Sequence, residues 1–339
     1  MTRISTFLTI SIITAAGLIA SAPTFGQSNA NTSEPRDVAY VTNFGGDTVS
    51  VIDLSDRKVM GQIRTGKQPH GVAFSPNGKI VAVSNEGDST LSILNAVNMT
   101  VERTVRIARS PNQLSFSKDG TRLFIPSNAE HVVEVMDTRD WTVQKKIPVG
   151  RNPHVVLVSP DGATLYVTSE GDNKIVVVDA ATLAPMAEIP TFGWPRIPTI
   201  TKDGKAIYLT IRWLNGLIKI DTEKLKAVDW IELPRSSRFA VEGAASHGVA
   251  LVPDENSLYL TSQLHDNVSV IDVATKEIRA SIAVGSNPNW VEFSDDGNLA
   301  VVSNTGSNTV SLIDTKSRQV VSVLPVGPNP KRLAVFSYK

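Results

Sequence analysis

No cysteine occurs anywhere in the 339 residues. Disulfides, thiolate zinc clusters, a cysteine nucleophile, iron–sulfur clusters and covalently attached c-type haem are therefore excluded. Any bound metal must rest on His, Asp, Glu or carbonyl oxygen. Net charge is lacking too, because 33 Lys+Arg face 33 Asp+Glu. That balance removes the cationic footprint that phosphate-backbone binding needs, so general nucleic-acid binding is not expected. The common catalytic signatures are also missing: there is no Gly-x-Ser-x-Gly, no His-Glu-x-x-His, no Walker loop and no dinucleotide fingerprint. No stretch reaches the 18 consecutive apolar residues that suggest a membrane span.

The longest apolar run lies at the N-terminus. Arg3 precedes about fourteen mostly apolar residues, Phe7 to Ala20, which give way to small and polar residues. This pattern predicts a secretory signal over residues 1–26, with cleavage after Gly26 or Ala30, and a short disordered segment over 27–35. A retained anchor is the alternative. Losing Arg3 leaves 32 basic against 33 acidic residues, so the exported protein, periplasmic or secreted, stays near neutral.

The rest of the chain is one motif written seven times. An apolar strand ending in Asp or Asn recurs as Val51-Ile52-Asp53, Ile93-Leu94-Asn95, Val135-Met136-Asp137, Val177-Val178-Asp179, Lys219-Ile220-Asp221, Val270-Ile271-Asp272 and Leu312-Ile313-Asp314. The steps are 42, 42, 42, 42, 51 and 42 residues. Short alternating runs, as in Thr48-Val49-Ser50-Val51-Ile52, are separated by turn pairs such as Asn77-Gly78, Asp161-Gly162 and Asp203-Gly204. About four strands per period describe a propeller blade. The predicted fold is all-β: a seven-bladed β-propeller of four-stranded antiparallel blades, forming a single domain over residues 36–339. The chain enters this order on a second strand, Val38–Asn43, and finishes on a first strand, Arg332–Phe336. The C-terminal strand is therefore expected to pair with the N-terminal strands and close the ring. The recurring Asp residues are expected to accept backbone N–H bonds in the turns that follow.

Tyr40-Val41-Thr42-Asn43, Tyr166-Val167-Thr168-Ser169 and Tyr259-Leu260-Thr261-Ser262, each followed about ten residues later by the Val-Ile-Asp type ending, resemble the YVTN-repeat β-propellers. The resemblance covers residues 36 to 339. It implies an exported seven-bladed ring, a type seen in surface-layer proteins, in periplasmic proteins and in a group associated with quinone-cofactor alcohol catabolism. Related seven-bladed folds serve lactonases, d1-haem proteins and copper oxidoreductases, so the fold alone does not give an activity.

The repeat also serves as a coordinate system for a site. The residue before each innermost strand is His70, Asn112, His154, Arg196, His247, Asn289 or Lys331, again in steps of 42, 42, 42, 42, 51 and 42. Sixteen residues further on, in the hairpin between second and third strands, stand Glu86, Glu170, Arg212 and Gln263, matching His70, His154, Arg196 and His247. His131 and His265 fall in these hairpins as well, which puts all five histidines on one face. The ring histidines can be an inherited loop feature. They can also bind a metal, Zn or Cu, through His70, His154 and His247 with Glu86 and Glu170 assisting. A third possibility is a small anionic ligand gripped by Arg196, Arg212 and Lys331, with Trp194 and Trp213 as an apolar wall or as packing between blades. The 51-residue step places nine extra residues around Pro234 to Ala245, including Arg235, Arg238 and Glu242, as a lid, a partner contact or a neutral insertion.

No catalytic nucleophile identifies itself. The sequence therefore points first to a binding or accessory propeller, monomeric, with its ligand or a partner protein on the channel face. A lactonase-like or metal-dependent enzyme using the His, Glu and Arg groups is the second reading. A protein-interaction scaffold without a small-molecule site is the third.

Overall fold

The computed structural model describes residues 36–234 and 245–338, which fall in one compact unit. The expected signal segment (1–26), the segment 27–35 and most of the nine-residue insertion, with Arg235, Arg238 and Glu242, lie outside the described residues.

Each 42-residue period folds as one four-stranded antiparallel sheet, and seven such sheets make the ring. Blade I shows the pattern: inner strand Pro69–Phe74, second Ile80–Asn85, third Thr90–Asn95 and outer Thr100–Arg106. The inner strands of blades II to VI begin near Asn112, His154, Arg196, His247 and Asn289. Blade VII is built from both ends of the chain. Its inner strand is Pro330–Tyr338, paired antiparallel with Arg36–Asn43, and Thr48–Asp53 and Lys58–Arg64 follow outward. Closure by the C-terminal strand is thus as the sequence indicates, and it removes the open edges that a linear array of sheets would expose.

Burial follows position within the blade. Second and third strands lie between neighbouring sheets and are buried on both faces, as in Ile80–Asn85 and Val132–Asp137. Outer strands such as Thr100–Arg106 are almost wholly exposed and carry the charged residues. The Tyr of the repeat reaches the next blade, with Tyr40 Oη donating to Ala96 O at 2.8 Å. The repeat Asp residues do what turn chemistry predicts: Asp179, Asp221 and Asp272 each accept two backbone N–H bonds just past their strand.

One repeat hydroxyl fixes the ring positions. The Thr or Ser at the third place of the YVTN-type strand donates to the carbonyl of the next blade's entry residue. The pairs are Thr42 to His70 (2.9 Å), Ser84 to Asn112 (2.8 Å), Thr210 to His247 (2.8 Å) and Ser303 to Lys331 (2.6 Å). The backbone of the candidate site residues is therefore pinned by neighbouring blades, and the side chains differ on a common frame.

Candidate functional site

On that frame the entry residues and hairpins enclose a polar cavity of about 180 Å³ at one mouth of the channel. It is lined by His70, Glu86, Asn112, Asn128, His154, Glu170, Arg196, His247, Asn289 and Lys331. Larger grooves of about 580 and 520 Å³ lie along turns elsewhere on the surface, but neither gathers buried cations. Of the residues singled out in the sequence, His70, His154, His247, Glu86, Glu170, Arg196 and Lys331 meet in the cavity. Arg212, Trp194 and Trp213 are not among the lining residues; they stand together in blade IV, where the Arg212 backbone N–H donates to Trp194 O at 2.9 Å, and Arg212 acts on Glu170 electrostatically. His131 and His265 are absent from the lining and bond locally, to Asn152 N and Ser262 Oγ.

The decisive residue was not among those the repeat singled out. Arg332, one position past Lys331 on the closing strand, is only 1% exposed. It bonds His154 Nε2 at 3.2 Å and Asn289 Oδ1 at 3.3 Å. Its guanidinium carbon lies 4.4 Å over the Trp290 ring, a cation–π contact in a desolvated setting. Trp290 itself is buried in an apolar cluster with Val155, Ile197, Val249 and Leu333. A signal was available in register: the equivalent positions in other blades hold Gly71, Gln113, Val155, Ile197, Gly248 and Trp290, so a guanidinium there breaks the column.

The hydrogen bonds fix the histidine tautomers. Arg donates to Nε2 of His154 (from Arg332) and of His247 (from Arg196, 3.1 Å), so each carries its proton on Nδ1. His247 Nδ1 then donates to Asn289 O at 2.8 Å. His154 Nδ1 lies 3.6 Å from Glu170 Oε1 and makes no hydrogen bond. His70 Nδ1 approaches Glu86 Oε2 at 3.0 Å without the geometry of a hydrogen bond.

Burial and charge act together on these groups. Burial lowers His70 to about 4, against the raising effect of Glu86 and with Lys331 and Arg332 adding to the fall. His154 and His247 are pushed well below the usual range, by burial first and then by Arg196 and Arg332. Burial alone would raise Glu86, but the contact with His70 and the charge of Lys331 bring it down to about 2. Glu170 is raised by burial, opposed by Arg196, Arg212 and Arg332. Arg332 falls to about 9 through burial and repulsion from Arg196, and so stays charged at neutral pH. The histidines are neutral. Arg196, Arg212, Lys331 and Arg332 face Glu86 and Glu170, an excess of two positive charges.

This arrangement does not fit Zn or Cu. A centre needs imidazole nitrogens about 2.0–2.1 Å from one point, whereas two of the three Nε2 atoms are taken by guanidinium groups. Among the described residues no group of three or more His, Asp and Glu is placed to hold a metal ion. The residues expected as metal ligands, His70, His154, His247, Glu86 and Glu170, instead belong to a hydrogen-bonded network with two arginines. Within it, Arg196 Nε, Arg332 Nε and Asn112 Oδ1 are buried without a hydrogen bond, an expensive condition for polar groups.

Blade IV departs from its siblings in the hairpin between its second and third strands. Elsewhere the fourth residue of the hairpin is left-handed, as at Asp47, Ser89, His131, Asn173, Asp266 and Asn308. In blade IV the positive φ moves to the second residue, Trp213, at 135°, with Gly216 at 153°. Other blades hold Gly45, Gly87, Ala129, Gly171, Leu264 and Gly306 where Trp213 stands. A tryptophan in this region stores roughly 1–3 kcal/mol of backbone strain. It is nonetheless 68% exposed, so inter-blade packing does not explain its presence. Trp194 is 38% exposed. The Arg212 guanidinium carbon lies 4.7 Å from the Trp194 ring centroid and 5.1 Å from that of Trp213.

Residues 6–338 match the family model described as YNCE-like beta-propeller. The chain belongs to that family. No curated protein matches the sequence. Solved structures similar to this YNCE-like propeller include Kuenenia stuttgartiensis hydrazine synthase (TM-score 0.73, 21% identity, 81% of this chain and 92% of that one). A second is the Pseudomonas aeruginosa periplasmic gluconolactonase PpgL (TM-score 0.73, 22% identity, 89% and 99%). A third is the dihydro-haem d1 dehydrogenase NirN in complex with DHE (TM-score 0.65, 18% identity, 93% and 77%). At these identities the likeness concerns the fold.

Proposed function

We propose that this YNCE-like propeller is an exported binding or accessory protein that holds a small anion in the cavity at the channel mouth. One observation carries the reading: Arg196 and Lys331 line the cavity, Arg332 lies buried behind it on His154 and Asn289, and with Arg212 these cations outnumber Glu86 and Glu170. Burying like charges is unfavourable unless a counter-charge arrives, and arginine presents a planar fork suited to carboxylate or phosphate. The export part of the proposal rests on the N-terminal sequence.

The test is calorimetric titration of acetate, inorganic phosphate and citrate into the wild type and Arg196→Gln. At least one anion should bind, weaken as salt rises, and lose about 10- to 100-fold in affinity in the variant. If none of these anions binds, or if the variant binds as the wild type does, the reading is wrong.

Lactone hydrolysis is the second reading. It is favoured by the His70–Glu86 contact, which orients an imidazole as a base–carboxylate pair does, in a fold shared with the gluconolactonase. It ranks below binding because a histidine held at about 4 is a weak base at neutral pH. Glucono-lactone opening no faster with the protein than with a His70→Gln variant would eliminate it.

A further inference from the structure

On the premise that the cavity binds anions, its lining narrows the kind of anion. We propose that the ligand is an oxyanion that keeps a proton at neutral pH, of the hydrogen phosphate type, and that Glu170 selects it by accepting a hydrogen bond from that proton.

The donors are set by what their partners have already taken. Asn289 Oδ1 accepts from Arg332 at 3.3 Å, and Asn128 Oδ1 accepts from Asn152 at 2.9 Å. Each amide is thereby turned so that its NH2 group is left over. Among the described residues neither NH2 makes a hydrogen bond, and both side chains line the cavity with Arg196 and Lys331. Donors and positive charge together call for ligand oxygens that accept.

Glu170 breaks that pattern. It lines the same cavity and is only 5% exposed. Its Oε1 accepts from Arg196 at 3.2 Å, whereas its Oε2 makes no hydrogen bond among the described residues. An ionised carboxylate can only accept, so Glu170 sets an acceptor against an incoming anion. A ligand whose every oxygen is an acceptor, such as sulfate, would leave two like-charged acceptors facing each other in a buried place, which is unfavourable. A hydrogen phosphate ion avoids this by turning its P–O–H toward Glu170 and its bare oxygens toward the asparagine amides and the cations. Burial raises Glu170 against the pull of Arg196, Arg212 and Arg332, so a proton shared with the ligand is held there more readily than on an exposed glutamate.

Size agrees with a free ion. A cavity of about 180 Å³ holds on the order of six water volumes at about 30 Å³ each, enough to enclose a tetrahedral oxyanion with a few waters. A phosphate monoester presents the same head on a carbon chain, but with a second pKa near 6 it has lost its proton by about pH 7.5. The two sources of phosphate are therefore separable.

The experiment is calorimetric titration of inorganic phosphate, sulfate and methyl phosphate at about pH 7.5 into the wild type and Glu170→Gln, with a melting curve for each protein. Phosphate should bind the wild type about 10- to 100-fold more tightly than sulfate, the worth of one hydrogen bond to a charged group, and methyl phosphate should fall with sulfate. In Glu170→Gln the amide keeps an oxygen for Arg196 and offers N–H donors to a bare oxyanion, so the phosphate-to-sulfate ratio should shrink to within about threefold. Reading a ratio removes the general change in affinity that follows loss of a negative charge. Glu170→Met, of similar bulk and without an acceptor, should narrow the ratio too and stands in should Glu170→Gln not fold. Sulfate or methyl phosphate binding the wild type as tightly as phosphate overturns the selection and leaves the anion cavity standing. An unchanged ratio in a folded Glu170 variant overturns the role of Glu170. If none of the three ions binds, the selection falls, and anion binding itself stands only if acetate or citrate binds.

Discussion

Arg332→Met is expected to leave the unliganded protein about as stable as before while removing anion binding. Burial and Arg196 bring the guanidinium down to about 9 from 12.5. At about 1.4 kcal/mol per tenfold change, that fall is roughly 4–5 kcal/mol by which the fold disfavours the charged group relative to water. Methionine escapes this cost. Against the gain stand the bonds to His154 and Asn289, whose loss leaves two acceptors unpaired at about 1–3 kcal/mol each. A desolvated cation–π contact worth about 2 kcal/mol also goes, partly recovered by sulfur against Trp290 at about 0.3–1.5 kcal/mol. The opposing terms differ by less than about 4 kcal/mol over these ranges, so calorimetry should find the melting temperature within about 10 °C of wild type. Titration should find anion affinity down about 10- to 100-fold, as a buried positive charge behind the cavity lining is lost. A fall of more than about 10 °C with unchanged anion affinity would show that Arg332 is a strut for the ring, and the reasoning about the cavity would fail.

Three further perturbations probe the frame around the site. His70 has a folded pKa of about 4 against 6.5 unfolded, so the unfolded chain binds more protons between those values. His70 alone contributes a fall of about 3 kcal/mol as pH drops from 6.5 to 4, to which the lowered His154 and His247 add; melting curves should show this slope, and His70→Gln should make it shallower. An unchanged slope would refute the assignment. Deleting the chain from Pro330 onward removes the strand that pairs with Arg36–Asn43, together with Lys331 and Arg332. The expected outcome is a large loss of melting temperature, and an unaltered value would refute ring closure. Thr42→Val strips the hydroxyl that donates to His70 O and accepts from Arg332 N, which should cost about 1–3 kcal/mol in chemical denaturation; no change would mean that the hydroxyl does not hold the two strands.

Fold and ring positions were legible because the 42-residue step turns a sequence into a set of equivalent places. Strand limits in blade I, the closing strand and the role of Asp179 or Asp272 all follow from pattern and turn chemistry. The site was legible only as a list of side chains on one face. His154 and Arg332 are 178 positions apart, and their contact depends on closure bringing blade VII across the channel from blade III and on rotamers that no periodicity encodes. The metal reading failed for the same reason: three histidines two blades apart suggest a donor set until guanidinium groups are found on two of their nitrogens. Trp213 shows a further limit. Its place beside Arg212 was visible, but the displaced positive φ that sets blade IV apart is a property of the backbone.

Blade VII also sets the order in which the cavity can exist. Blades I to VI supply the histidines, the carboxylates and Arg196, and they are synthesised before the strand that carries Lys331 and Arg332. Until that strand docks on Arg36–Asn43, the other residues face an unfinished mouth with two of its four cations, and so its whole excess of positive charge, missing. On the proposed function, a nascent chain cannot capture an anion early, and binding competence arrives as a single late event that reports the ring as whole.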